Sequence, residues 1–129
     1  MSTVNSIGEP IDPGHSVTVE PSAIHRRVEF AGVVVADSRE TLVLTEAGHR
    51  TVYFPPSDVR VELLTAAART AHCPYKGDWH HLHLRSGDRA VRNAAWRYFH
   101  CLAERPEIEG YVAFYPGRVD GFLEDGVPV

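Results

Sequence analysis

Turn-forming residues interrupt this chain so often that most of it has no room for a long helix. Pro21-Ser22, Gly32, the run 37–40, Ala47-Gly48, Pro55-Pro56, Ser86-Gly87-Asp88, Pro116-Gly117 and Asp125-Gly126 divide it into short pieces. Gly and Pro punctuate a fold because one permits backbone conformations closed to other residues and the other removes an amide donor. Between the breaks, apolar residues alternate with polar ones. Val17 and Val19, then Val28 and Phe30, then Val59, Val61 and Leu63 show the two-residue period of half-buried strands. The expected fold is mainly β: a small open barrel or sandwich of short antiparallel strands, with one or two short helical turns. Strands are expected at 15–20, 27–36, 41–45, 51–54, 59–64, 79–84, 89–92, 108–115 and 119–123. Residues 65–69 are expected as a loop with helical tendency, and 93–102 as the place of a short helical turn.

At 129 residues the chain suits one domain with one core. Its hydrophobic fraction of 43% and charged fraction of 23% are ordinary for a globular protein. Residues 1–14 are polar and contain Gly8, Pro10, Pro13 and Gly14, so they are read as a flexible arm, with residues 15–129 as the domain. A formal charge of -4 argues against a nucleic-acid partner, which calls for a basic surface. No apolar run approaches the roughly 20 residues of a membrane span, and the N-terminus lacks the pattern of a secretory signal. A cytoplasmic location without membrane attachment is expected. Two cysteines are too few for a disulfide framework, and no CxxC zinc knot occurs.

Eight histidines are the one compositional oddity, and four of them, His72, His80, His81 and His83, fall near a loop that can carry chemistry. Cys73 stands between His72 and Pro74, with Lys76 three positions on. A cysteine becomes a nucleophile where positive charge favours its thiolate, so Cys73 and Lys76 are candidate catalytic residues. The competing reading of Cys73 is a small buried hydrophobe. In the strand after the loop, His81 and His83 project on one face. His81 is a candidate general acid or base, because imidazole titrates near neutrality. His81 and His83 together, with His100 as a third ligand, form a candidate site for a divalent metal such as zinc. The alternative is a solvated histidine face. Tyr53, Tyr75, Trp96 and Tyr115 are candidate ligand-stacking residues, and Arg60 a candidate for binding a carboxylate or phosphate. The bland reading of the aromatics is core, and of Arg60 surface charge.

Several strings, in order along the chain, resemble the family called domain of unknown function 427. They are Val34-Val35-Ala36-Asp37-Ser38, Val52-Tyr53-Phe54-Pro55, Asp58-Val59-Arg60, Cys73-Pro74-Tyr75-Lys76-Gly77-Asp78, Asn93-Ala94-Ala95-Trp96 and Gly110-Tyr111-Val112-Ala113-Phe114-Tyr115-Pro116. The resemblance implies a β-tent fold and a cleft lined by the Cys73 loop. It implies no established reaction. The nucleotidyltransferase-like label attached to the family finds no Gly-Ser motif or spaced aspartates here. The chain departs from the family pattern at His49, at His80, His81 and His83, and at Phe99-His100-Cys101. These departures are expected to converge on one cleft. The reading that follows is a small-molecule-binding domain with a cleft at the Cys73 loop, acting as a small enzyme through Cys73 or a histidine. A metal protein built on the His81/His83 strand and a protein-interaction module, including a homodimer, are the alternatives.

Overall fold

The computed structural model describes residues 3–129. Residues 1 and 2 of the arm lie outside the described residues. Among the described residues, eleven strands form three antiparallel sheets, which do not close into a barrel. The first sheet takes β1 (Val17–Ser22), β4 (Thr41–Glu46) and β5 (His49–Tyr53), in the order β1-β4-β5. The second joins β2 (Arg26–Phe30) and β3 (Val33–Ser38) with the C-terminal β10 (Gly121–Glu124) and β11 (Val127–Pro128), in the order β11-β10-β2-β3. The third is a meander of β6 (Leu64–Cys73), β7 (Gly77–Ser86), β8 (Arg89–Cys101) and β9 (Val112–Phe114). Among the described residues, helical structure is confined to 3₁₀ turns at Pro56–Asp58, Val61–Leu63, Pro106–Ile108 and Pro116–Arg118.

Two short bridges join the sheets. Phe54 and Val112 exchange both backbone hydrogen bonds, at 2.8 and 2.9 Å, and so clip the first sheet to the third. The Arg60 amide donates to the Val35 carbonyl at 2.8 Å, which fixes the Pro55–Leu63 connection on the second. Asp58 is held there as well, accepting from the Ser38 hydroxyl at 2.7 Å. The main core gathers Val28, Phe30, Phe54, Leu82, Leu84, Val112, Phe114 and Phe122. A second cluster, built on Leu44, Tyr53, Tyr98, Cys101, Ile108 and Ala113, lies under the Cys73 loop.

Three local expectations are corrected. Residues 59–64 alternate, yet they form a bridge and a 3₁₀ turn: Val59 is buried against Ala36, while Val61 is exposed. Residues 65–69 belong to β6: Thr65 and Ala66 pair with His83 and Leu82 of β7, partners that sequence periodicity does not see, and 67–69 form a bulge within the strand. The helical turn expected within 93–102 is instead the second half of the 13-residue β8. There Asn93 adopts the left-handed region (φ 54°), which breaks the two-residue pattern and disguises the strand.

Among the described residues, one charged side chain is buried in this frame. Arg26 is 2% exposed and donates from Nε to Glu124 at 2.6 Å, and from Nη1 to the hydroxyls of Ser22 and Thr41, both at 2.9 Å. A depression of about 370 Å³ opens over it, between Ile24, Val43, Trp96 and Phe122. Because the guanidinium is satisfied within the fold, its role there is structural.

Candidate functional site

Antiparallel pairing places Cys73, Gly77 and Cys101 in one row across β6, β7 and β8. The middle position has to be glycine. Its φ of 137° is poorly accessible to other residues, and a Cβ there would stand 2.2 Å from the His100 carbonyl oxygen and 2.8 Å from the Cys101 Cα. Glycine thus lets the loop press against β8. From this row, β7 and β8 run side by side and pair Trp79 with Tyr98 and His81 with Trp96.

The result is an aromatic pocket of about 300 Å³ lined by Cys73, Trp79, Trp96, Tyr98 and Tyr115. Trp96 and Tyr115 have ring centroids 4.5 Å apart, and Trp79 and Tyr98 6.4 Å. Both tryptophans of the chain line this pocket. Tyr53 lies behind Trp96, 1% exposed, and accepts the indole N–H at 3.2 Å. Burial raises the phenols of both Tyr53 and Tyr98 far above the ordinary value, and for Tyr98 the neighbouring Cys73 adds to it. Both hydroxyls are therefore neutral hydrogen-bonding groups at any physiological pH. Burial, reinforced by Glu109 and Glu107, pushes the Cys101 thiol up to about 11. Cys73 is the more exposed of the two free thiols.

Lys76 turns inward from the loop. Its ammonium lies 2.5 Å from Glu46 Oε1 and 5.5 Å from the centre of the Tyr98 ring. The other Glu46 oxygen meets His15 Nε2 at 2.6 Å. Burial works to raise the Glu46 carboxyl, but hydrogen bonds from Lys76 and His15 outweigh it and hold it below its ordinary value. His72 turns outward, between Glu9 at 2.6 Å and Asp78 at 2.6 Å. Both positive groups flanking Cys73 in sequence therefore have carboxylate partners of their own.

His81 touches the pocket from its open side. Its Nε2 lies 3.1 Å from the Tyr115 hydroxyl, and its ring meets Trp79 edge-on at 5.0 Å. Desolvation, then Arg118 and His83, lower its proton affinity, so the imidazole is neutral near pH 7. Of the candidate ligand-binding residues, Trp96 and Tyr115 form the pocket and Tyr53 supports it from behind. Tyr75 instead faces the arm: its ring packs on His15 at 4.1 Å and its hydroxyl accepts from the Asp12 amide at 2.8 Å. Arg60 is exposed, paired with Glu62 at 2.8 Å, and takes no part in the pocket.

The proposed metal ligands are not brought together. His83 Nδ1 accepts the Asn93 amide at 3.0 Å. His100 pairs with Asp78, three residues from His81 along β7, or roughly 10 Å at about 3.3 Å per residue. Among the described residues no group of three His, Cys, Asp or Glu side chains is arranged to hold a metal ion. Among the described residues, too, no helix is long and apolar enough to cross a membrane.

Residues 3–14 lie beside the loop. Asn5, 6% exposed, donates to the Pro74 carbonyl at 2.8 Å, and Glu9 engages His72. Two residues that matter here, Glu46 and Trp79, were not among the sequence candidates. Glu46 ends β4 in what reads as a turn, Trp79 reads as an ordinary strand aromatic, and Tyr98 reads as core within an expected helical turn. Only the pairing of β7 with β8, and the return of β4 beneath them, marks them.

An open β domain of three sheets, with an aromatic pocket beside a loop cysteine, is the class that fold and site define. Residues 18–125 match the family described as Domain of unknown function (DUF427), and the chain belongs to that family. No curated protein matches the chain.

Proposed function

We propose that the chain binds a small organic molecule in the pocket beside the Cys73 loop, with an aromatic or other flat apolar part held among Trp79, Trp96 and Tyr115. The observation that carries this reading is the meeting of four aromatic side chains, from β7, β8 and the segment after β9, around one partly exposed thiol. Sites for small ligands combine apolar walls with a few placed polar groups. Here the polar groups are the Cys73 thiol, the hydroxyls of Tyr98 and Tyr115, and the neutral His81 imidazole. Two of them have the chemistry of a small enzyme: the thiol as nucleophile and the imidazole as proton acceptor.

The test uses ¹⁵N-labelled protein titrated with 4-phenylbutanol. Binding is expected to shift both indole N–H signals and to slow alkylation of Cys73 by iodoacetamide. Indole signals that stay in place, with an unchanged alkylation rate, would overturn the reading.

A further inference from the structure

A second cavity, about 530 Å³, adjoins the aromatic pocket and shares Trp79 with it. Its remaining walls are His80, His81, His83, Arg92 and Asn93, with residues 67–71 of β6. The cavity exists because β6 is bulged. Ala66 pairs with Leu82, but the next partnered residue, Thr70, pairs with His80, so four steps on β6 match two on β7. The excess chain bows outward and carries Arg69 over the histidines.

Charge is unevenly placed around this cavity. Arg26, Arg27, Arg60, Arg89 and Arg105 each have a carboxylate partner. Arg69 and Arg92 line the cavity with no ion pair among the described residues, and no Asp or Glu lines it. Arg97 stands beside them, donating to His80 Nε2 at 3.2 Å, and Arg118 lies over the Tyr115 ring. In a chain of net charge -4, two arginines thus line a cavity that has no carboxylate among its described lining residues, with two more beside it. His80 reflects the same environment: desolvation, then Arg97, lowers its proton affinity.

We infer that this cavity takes the anionic end, a phosphate or carboxylate, of the ligand whose apolar part occupies the pocket of Trp79, Trp96 and Tyr115. The inference rests on the pocket reading above and adds the ligand's second half. Arginine suits the task because its planar fork meets two oxygens of an oxyanion at once. From Trp79 to His83 the strand covers roughly 13 Å at about 3.3 Å per residue, so the ligand joins ring and anion through a linker of several atoms.

Two probes with the same phenylbutyl chain separate the halves: 4-phenylbutanol and 4-phenylbutyl phosphate, both titrated into ¹⁵N-labelled protein. The phosphate is expected to bind at least about tenfold more tightly, the scale of one or two charge-assisted hydrogen bonds. It should move the amides of residues 67–70 as well as both indoles, and its advantage should shrink with added salt. In the exposed double variant Arg69→Gln/Arg92→Gln, with its fold checked by circular dichroism, the affinity ratio should fall towards one. Equal affinities in the unsubstituted protein, with both indoles still shifting, would overturn the anion site and leave the pocket standing. Indoles unmoved by either probe would overturn the pocket, and the anion site as its extension.

Discussion

Lys76 and Glu46 meet at 2.5 Å beneath the Tyr98 ring, and the pair ties the Cys73 loop to the end of β4. Neither side chain is free at the surface: the lysine is 13% exposed and the glutamate 21%. The sequence places Lys76 beside Cys73 as a source of positive charge, whereas the structure shows that charge already opposed by a carboxylate.

Replacing Glu46 by Gln should cost about 1–3 kcal/mol, because a largely buried ammonium loses its charged partner. The sign of the pH dependence follows from the lowered carboxyl. The pair's contribution is complete above the ordinary value of 4.5 and fades as pH falls through the lower folded value. Urea denaturation between pH 3 and 7 should show a shallower acid-side loss in Glu46→Gln than in the parent.

Gly77→Ala should destabilise the fold by several kcal/mol, at the upper end of single substitutions. The added methyl meets backbone atoms of His100 and Cys101, which cannot swing aside as a side chain would. A melting temperature within a few degrees of the parent would contradict this account of the Cys-Pro-Tyr-Lys-Gly loop.

One thiol should react in the native protein. Cys101 is 8% exposed and pushed up to about 11, so it stays protonated and covered at pH 8. Ellman's reagent should release about one equivalent from the folded chain and two after denaturation. Cys73→Ser should abolish the native equivalent, whereas Cys101→Ser should leave it.

The contact between residues 3–14 and the loop should weaken with rising pH. Hydrogen bonds to Glu9 and Asp78 raise the His72 imidazole above its ordinary value of 6.5. The charged contact is therefore complete below that value and lost as pH rises through the folded one. Amide exchange at Asn5 and Glu9, corrected for its intrinsic pH dependence, should show more protection at pH 5.5 than at pH 8.5. His72→Gln should remove the difference.

Glu124→Ala should cost about 3 kcal/mol or more by chemical denaturation, because it leaves the Arg26 guanidinium buried without its carboxylate.

Much of the frame is legible in the sequence because it depends on local rules. Gly32 and Gly48 both take positive φ at the turns their neighbours announce, and the strands around them follow. Residues 65–73 and 93–101 escape the same rules, because their extended form depends on β7 lying between them. The site divides in the same way. Cys73, Trp96, Tyr115 and His81 are residue types that attract notice, and they come together. Lys76 is equally visible, but its partner Glu46 is thirty residues away, joined only through the sheet. Tyr75 sits in the turn between β6 and β7 and packs on His15 instead, and His100 lies beyond a bulge at Phe99 that breaks the two-residue period it shares with Trp96 and Tyr98.

The bulge in β6 separates two parts of the molecule that sequence runs together. An edge strand is bonded on one side only, so residues can be gained or lost at 67–69 without disturbing the row of Cys73, Gly77 and Cys101. The wall over the histidines can thus vary while the loop and its glycine stay fixed. A lineage built on this plan could acquire new ligands by small insertions at that edge, keeping one inherited chassis.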